Sequence, residues 1–152
     1  MFLRNEIRKE IEFEFPENTC FEKRAGDLKI VKEKGKITVY YEKERQLVRS
    51  ALLIKAYGEE GDFEITEKTD FNDLCFMIDC SRNGVLNVDT AKKIIRNIAL
   101  LGYDSMMLYT EDTYEVDGEP YFGYMRGRYT AEELKELAEY GDKMGVELIP
   151  DI

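Results

Sequence analysis

The chain has 152 residues, of which 43% are apolar and 12% aromatic, so its composition allows a hydrophobic core. Its net charge of −10 disfavours nonspecific binding to nucleic acid or to an anionic membrane surface, because both repel an acidic protein. The absence of histidine excludes a Ser/His/Asp triad, a Cys/His pair and the common zinc sites. We therefore expect no metal and no cofactor, and any chemistry must use carboxylates, arginine, tyrosine or the backbone.

The targeting and cysteine features favour a cytoplasmic protein. The longest apolar run has about six residues, against about 20 for a transmembrane helix. Residues 1–10 are charged, unlike a secretory signal peptide. Cys75 and Cys80 lie an odd number of positions apart in one apolar run, so on a strand they would face opposite sides. Together with Cys20 they are predicted to be reduced, buried thiols rather than disulfide partners.

Residues 1–70 are predicted to form a small α+β domain. Alternation of apolar and polar residues predicts strands at 11–15 and 63–65. Two further strands, 28–31 and 37–41, flank a glycine turn. The second and third strands read as a hairpin around Gly35. Residues 43–57 have apolar side chains at helical spacing, and Gly58 follows where a helix would end. The sum is a small antiparallel sheet covered on one face by a helix.

Residues 71–152 are predicted to alternate strands with helices. Three apolar runs read as strands, the first of them buried on both faces, at 74–78, 105–109 and 146–149. Asn87 can cap a helix that ends at Gly102. Thr130 and Glu133 form a capping box for a second helix that ends at Gly145. Such alternation predicts parallel strands joined by right-handed crossovers.

The carboxyl ends of parallel strands are where ligands bind, and Asp79 and Arg82 follow the first of these strands. A carboxylate three residues before an arginine can fix the guanidinium through charge-assisted hydrogen bonds. A fixed guanidinium suits vicinal sugar hydroxyls or a carboxylate. The alternative is a purely structural ion pair. Asp151 follows the third strand in the same way.

Glu111 and Asp112 follow the second strand, and are candidates to bind a cation, orient arginines or act as acid and base. Adjacent side chains usually point apart, so a structural or solvated role is the alternative. The long loop 114–129 comes next, and at about 16 residues it exceeds an ordinary connection. It carries five aromatic residues, Tyr114, Tyr121, Phe122, Tyr124 and Tyr129.

Aromatic faces in this loop would suit the apolar side of a sugar ring, and the alternative is a loop packed on its own aromatic side chains. The loop also contains two arginines, Arg126 and Arg128. They could pair with Glu111, Asp112 or Glu115. The sequence alone leaves both interpretations open.

Four segments of the second half resemble glycoside hydrolase family 20, the β-N-acetylhexosaminidases. They correspond to a first barrel strand ending in Asp-x-x-Arg, a second strand with its acidic loop, the passage into the second helix, and the third strand, at 76–82, 107–114, 121–137 and 145–151. The resemblance covers about residues 70–152 and is closest to the intracellular bacterial branch. Residues 1–70 fit less specifically, through the small α+β domain that precedes the barrel in this family.

The resemblance implies an α/β chain: an N-terminal α+β domain at 1–70, then the first β-α-β-α-β part of a TIM (β/α)8 barrel at 71–152. The family removes terminal N-acetylglucosamine or N-acetylgalactosamine from β-linked glycans, with retention and substrate assistance. Its catalytic Asp-Glu pair follows the fourth strand, so no catalytic residue is assigned here and residues 1–152 alone are expected to be inactive. Glu111-Asp112 has the reverse order on another strand.

Arg82 matches the family arginine that binds the hydroxyls of the terminal sugar, with Asp79 as its support. Asn83-Gly84 stands where many members have His-Phe, which leaves the contacts of those neighbours unassigned. The expected partner is a β-linked N-acetylhexosaminide, and the open sheet is expected to self-associate through its strand edges. The alternative is a self-standing non-catalytic module that binds carbohydrate or protein through the aromatic loop.

Overall fold

The computed structural model describes residues 1–59, 61–82 and 84–152. Its helices and strands follow in the order α1 (Phe2–Ile11), β1 (Thr19–Lys23), β2 (Leu28–Glu33), β3 (Lys36–Tyr41), α2 (Glu44–Tyr57), β4 (Phe63–Glu67), β5 (Cys75–Asp79), α3 (Val88–Leu101), β6 (Ser105–Tyr109), α4 (Ala131–Met144) and β7 (Glu147–Asp151). The strands form one four-stranded and one three-stranded sheet. Among the described helices, none has both the length and the apolar character to cross a membrane.

The first sheet has the strand order β1-β3-β2-β4. The hairpin around Gly35 is confirmed: β2 and β3 pair antiparallel, and Lys34 and Gly35 turn the chain with φ of 49° and 79°. The prediction of an antiparallel sheet is wrong at one edge, because β1 pairs parallel with β3. The reason is topological, since β3 returns into the space between β1 and β2 and so runs in the direction of β1.

The predicted strand at 11–15 is also wrong. Ile11 ends α1, and the next residue, Glu12, turns the chain with a left-handed φ of 48°. Phe13 and Phe15 then lie in a loop, where Phe15 packs edge-on against Phe13 and against Phe21 of β1. The alternation arises because these aromatic side chains pack into the core from a loop, without strand pairing. Ile11 belongs instead to the helical pattern of the residues before it.

Helix α2 covers one face of the first sheet, as predicted. Its buried Val48, Ala51 and Ile54 share the hydrophobic core with Ile30 and Val39 of the sheet. Helix α2 also contacts α3, so the core continues from the first half of the chain into the second. The division into domains at residue 70 stays a prediction, and the two stretches meet through this layer of helices.

The second sheet is parallel with the order β5-β6-β7, as predicted. The helices between its strands begin and end where the capping signals placed them. The Asn87 side chain accepts a hydrogen bond from the Thr90 amide at 2.8 Å, and Thr130 forms a capping box with Glu133. Helices α3 and α4 contact each other, as expected for successive right-handed crossovers on one side of a sheet.

The expectation that the strand at 74–78 is buried on both faces is wrong. Strand β5 is an edge of its sheet, and Phe76 and Met77 are 38% and 53% exposed. Cys75 is exposed too, contrary to the predicted buried thiol, and Cys20 is half-buried, whereas Cys80 is buried; all three thiols are free. Apolar composition predicted a strand with two covered faces, but burial depends on neighbouring elements that strand β5 lacks here.

A buried polar network fastens α1 to the helices of the second half. The Arg96 guanidinium of α3 donates to Glu10 at 2.6 Å and to the Tyr140 hydroxyl of α4 at 3.0 Å. The Tyr140 hydroxyl donates to Glu6, whose second oxygen accepts from Lys9 at 2.6 Å. Burial and its hydrogen bond to Glu6 raise the pKa of Tyr140. The network thus connects α1, at the start of the chain, with two helices of its second half.

Replacing Arg96 with leucine is expected to destabilise the protein by about 3 kcal/mol, because Glu10 would lose its charged partner at a buried position. Urea unfolding measures this change. The matched control is Arg8→Leu, since Arg8 pairs with Glu14 at 2.7 Å but both side chains are 69% exposed. This exposed pair should contribute less than about 1 kcal/mol. Equal losses for the two variants would contradict a stabilising role of the buried network.

Candidate functional site

The parallel register brings the ends of three strands together. Asp79, Tyr109 and Asp151 pair in succession across β5, β6 and β7. The loops that follow are tied by backbone hydrogen bonds: the Cys80 amide donates to the Tyr109 carbonyl at 2.9 Å, and the Thr110 amide donates to the Asp151 carbonyl at 2.8 Å. The residues predicted at the strand ends therefore lie together at the carboxyl-terminal end of the sheet. Asp151 contributes through its backbone.

Asp79 fixes Arg82 at this edge. Its carboxylate accepts hydrogen bonds from the Ser81 and Arg82 amides at 3.0 Å each, and from Nε of Arg82 at 2.5 Å. The side chain of Asp79 is 18% exposed, whereas that of Arg82 is 72% exposed. The Arg82 amide and guanidinium hold the pKa of Asp79 below its ordinary value. The half-buried Asp79 carboxylate thus fixes the exposed guanidinium of Arg82.

Glu111 joins the same cluster from the end of β6. Its carboxylate accepts a hydrogen bond from the Ser81 hydroxyl, and its other oxygen accepts one from the Tyr109 hydroxyl at 2.6 Å. These two bonds lower the pKa of Glu111, and the bond to Glu111 raises the pKa of Tyr109. The Arg82 guanidinium lies 5.6 Å from the centroid of the Tyr109 ring. Glu111 therefore sits beside Arg82 as an ionised acceptor.

Asp112 has a different partner from Glu111. Its carboxylate pairs with the Arg126 guanidinium at 3.0 Å, and Arg126 also donates to the Ser81 carbonyl. Arg128 lies 3.9 Å from the Glu115 carboxylate. Two of the predicted pairings are thus present, Arg126 with Asp112 and Arg128 with Glu115. The Arg126 contacts fasten the long loop to the residues that follow β5 and β6, whereas the Arg128 pair lies within the loop itself.

The aromatic residues of the loop divide into two sets. Tyr114 packs edge-on against Phe122 at 5.2 Å, and Tyr129 is buried, with a pKa that burial raises. Tyr121 and Tyr124, by contrast, are 80% and 65% exposed. Packing within the loop describes the first set, and a role of the exposed tyrosines in binding a ligand stays a prediction.

Three residues of this site were missed from the sequence. Ser81 and Tyr109 hold Glu111, and Gly123 lets the loop approach the strand end. At Gly123 the φ is +63°, and a Cβ would lie 2.0 Å from the Asp112 carbonyl oxygen. Tyr109 was detectable as the last residue of a predicted strand next to one that ends in Asp79. The other two depend on contacts between loops and carry no sequence signal.

At the departure from the family pattern, Asn83 lies outside the described residues and Gly84 is exposed. Within the described residues, no group of three or more carboxylate or thiol side chains is arranged to hold a metal ion. The groups present at the carboxyl-terminal end of this sheet are the exposed guanidinium of Arg82, the ionised carboxylate of Glu111 and the ring of Tyr109. Such a set binds hydroxyl groups as donor, acceptor and apolar surface.

Ser81→Ala is expected to raise the pKa of Glu111 towards its ordinary value of 4.5, because the carboxylate loses its strongest hydrogen-bond donor. The titration of the Glu111 carboxyl carbon by NMR measures this shift. Because the folded pKa is depressed, ionised Glu111 stabilises the fold above pH 4.5, and this contribution disappears as the pH falls through the folded pKa. The variant should therefore show a weaker acid dependence of stability.

The control for this prediction is Ser50→Ala. The Ser50 hydroxyl donates to the Leu47 carbonyl at 2.7 Å within α2, so its removal should leave Glu111 unchanged. An identical Glu111 pKa in the wild type and in Ser81→Ala would contradict the hydrogen bond as the cause of the shift.

No protein-family model matches the chain, and no curated protein matches it. The fold is nevertheless similar to solved structures. The N-acetyl-β-hexosaminidase of Streptomyces plicatus, in complex with Thio-NAglucal, aligns with 99% of this chain and 38% of its own length, at 18% identity and a TM-score of 0.77. A family 20 exo-β-N-acetylglucosaminidase of Vibrio harveyi, in complex with N-acetylglucosamine, aligns with 99% and 30%, at 16% identity and a TM-score of 0.79.

The β-N-acetylhexosaminidase of Bacteroides fragilis aligns with 89% of this chain and 32% of its own length, at 22% identity and a TM-score of 0.73. The chain thus spans about a third of the length of these structures. The resemblance noted from the sequence motifs is confirmed at the level of the fold. The chain has the fold of the corresponding third of glycoside hydrolase family 20 β-N-acetylhexosaminidases.

Proposed function

We propose that this chain is the N-terminal portion of a β-N-acetylhexosaminidase and that Arg82 binds hydroxyl groups of the terminal N-acetylhexosamine. The observation that carries the proposal is the exposed Arg82 guanidinium held by Asp79 at the end of β5. The fold similarity supports it, since the Vibrio harveyi structure is a complex with N-acetylglucosamine. The glycan substrate, a β-linked N-acetylhexosaminide, follows from the same argument.

The geometry suits a sugar. A guanidinium carries five N–H donors, and Asp79 uses the one on Nε, so the terminal nitrogens of Arg82 remain for vicinal hydroxyls. Glu111 beside it offers carboxylate oxygens as acceptors, and the Tyr109 ring limits the movement of the guanidinium. Because Asp79 and Glu111 are held ionised, the site keeps this charge pattern at neutral pH.

The proposal includes the remaining features that the resemblance implies. Strands β5 to β7 and helices α3 and α4 would be the first β-α-β-α-β part of a TIM barrel, which is supported by their parallel order. Catalysis would proceed with retention by substrate assistance, through an Asp-Glu pair after a fourth strand. The three free thiols support a reducing, cytoplasmic location.

The self-standing binding module is the second candidate, favoured by the exposed Tyr121 and Tyr124. Such a module would bind through its loop, so binding would survive loss of the Arg82 guanidinium. The hexosaminidase proposal expects the opposite dependence. One titration therefore separates the two candidates.

Arg82→Gln is expected to weaken the binding of N-acetylglucosamine about tenfold, because hydrogen bonds from a charged donor contribute about 1.5–3 kcal/mol. Titration of the chain with the monosaccharide, followed by two-dimensional amide NMR, measures the affinity and locates the perturbed residues. Arg8→Gln is the matched control, as an exposed arginine on α1. Equal affinities for wild type and Arg82→Gln would overturn the role of Arg82.

Residues 1–152 alone are expected not to hydrolyse an aryl N-acetyl-β-glucosaminide, because no Asp-Glu acid/base pair is assigned among them. Release of the aryl alcohol, compared with a buffer blank, measures this activity. A second reaction containing an active hexosaminidase verifies the substrate. Turnover above the blank that Arg82→Gln abolishes would contradict the assignment of catalysis to another segment.

We also propose that a second copy of the chain covers the exposed edge of β5. Phe76 and Met77 are partly exposed there, and an unpaired parallel edge offers free backbone donors and acceptors. Sedimentation velocity at micromolar concentration should show self-association, and Met77→Lys should reduce it. Tyr57→Lys, at an exposed position of α2, serves as the control. A monomer at all concentrations would refute this proposal.

A further inference from the structure

Asp104, the residue before β6, holds both backbone groups of Leu74, the residue before β5. Its carboxylate accepts a hydrogen bond from the Leu74 amide at 3.1 Å, and its own amide donates to the Leu74 carbonyl at 2.9 Å. The Asp104 carbonyl accepts from the Glu147 amide, at the start of β7, at 2.9 Å. One residue therefore connects the amino-terminal ends of all three parallel strands, opposite the end that carries Arg82.

The Asp104 carboxylate is paired with two cations from the first half of the chain. Its side chain is 10% exposed, and Oδ1 accepts from Lys43 at 3.0 Å and from Nε of Arg45, which leaves Oδ2 for Leu74. Arg45 is itself buried and also donates to the Gly102 carbonyl at 3.0 Å. Although burial raises the pKa of Asp104, the hydrogen bonds from Lys43 and Leu74 lower it below its ordinary value. The carboxylate is therefore ionised and fixed in orientation.

Ser105, the first residue of β6, makes a contact that depends on the sequence of the segment before β5. Ser105 is fully buried, and its hydroxyl donates to the Asp73 carboxylate at 3.0 Å. A shift of β5 by two residues would put Phe71 or Cys75 in the place of Asp73, and neither offers a carboxylate. The buried hydroxyl would then lose its partner, which is unfavourable. The observed alignment of β5 with β6 therefore satisfies Ser105, and the alignments two residues away do not.

The apolar side chains of β5 add little to this choice. Residues 75–78 are apolar without interruption, as are residues 106–108 of β6, so the usual alternation between a core face and a solvent face is absent. Strand β5 also lies at the edge of its sheet, where Phe76 and Met77 are partly exposed. Its alignment with β6 therefore depends on polar contacts at its ends.

We propose that Asp104 and Ser105 are positioning residues for the Arg82 site, because they hold β5 in one alignment with β6. Displacement of β5 would separate Arg82 from Glu111, which follows β6. The same contacts give α2 a role at this site, since α2 supplies the Arg45 that pairs with Asp104. The effect on the strands is independent of the proposed function, whereas the effect on sugar binding rests on it.

The first test compares Ser105→Ala with Ser50→Ala by hydrogen exchange of the backbone amides. Both serines are fully buried and each loses one hydroxyl hydrogen bond, but that of Ser50 lies within α2. We expect the amides of β5 to exchange about tenfold faster in Ser105→Ala, the scale of a hydrogen bond to a charged acceptor. Ser50→Ala should leave their exchange as in the wild type. Equal rates in the two variants would overturn the inference.

A second comparison removes the Asp104 carboxylate without leaving a buried cation unpaired. Arg45→Met is the parent variant, and Arg45→Met/Asp104→Ala/Ser105→Ala also loses both side-chain contacts to the start of β5. The parent should keep the nuclear Overhauser effects between the paired backbones of β5 and β6, and the triple variant should lose them. The pKa of Glu111 should rise towards 4.5 in the triple variant, because Ser81 would leave it. N-acetylglucosamine should bind about tenfold more weakly, as in the loss of the arginine itself.

The remaining outcomes separate the inference from the proposed function. Retained cross-strand effects and an unchanged Glu111 pKa in the triple variant would overturn the inference. A displaced β5 with unchanged sugar affinity would refute the positioning role. If the triple variant does not fold, the exchange rates in Ser105→Ala decide. If the wild type binds no N-acetylglucosamine, the proposed function fails, while the cross-strand effects and the Glu111 pKa still decide whether β5 is held in this way.

Discussion

The site depends on the in-register parallel pairing of β5, β6 and β7. This pairing places Asp79, Tyr109 and Asp151 side by side, so that the loops after three strands start from one line. The loops after β5 and β6 then bond to the last residue of the next strand through their backbone amides. A shift of one residue in β5 or β6 would turn Asp79 or Tyr109 to the opposite face of the sheet and separate Arg82 from Glu111. The arrangement of charged groups is therefore a consequence of sheet register.

Electrostatics at this edge follow from hydrogen bonding more than from burial. Asp79 and Glu111 lie near each other, and their charges repel, yet both are held ionised. Each carboxylate accepts bonds from different donors: Asp79 from the backbone and guanidinium of Arg82, Glu111 from two hydroxyls. The single arginine between them is balanced by two carboxylates. Both carboxylates thus stay ionised, and the Arg82 guanidinium is exposed to solvent beside them.

The second half of the chain was predictable because its signals are local. Asn87, Thr130 and the glycines after each helix mark the boundaries of α3 and α4 through bonds within one turn. The first half of the chain was harder to predict from the sequence. Strand β1 has little apolar content and pairs with a strand more than ten residues away, whereas the phenylalanines of the loop before it alternate like a strand.

For the site, the sequence predicted Asp79, Arg82 and two of the loop ion pairs, since strand ends and charge spacing reveal them. It did not reveal which aromatic residues face solvent, because exposure of Tyr121 and burial of Tyr129 depend on how the loop folds against the strand ends. The role of Ser81 was hidden for the same reason. Its hydroxyl meets Glu111, thirty positions later in the chain.

The network around Arg96 has a consequence for how the chain is made. Glu6 and Tyr140 are separated by 134 positions, so the polar partners of α1 on α3 and α4 are translated long after α1 itself. During synthesis the sheet of β1 to β4 and its covering helix can assemble first, whereas the network around Arg96 is complete only once α4 has left the ribosome. Helix α1 is thus translated early but completes its polar contacts late.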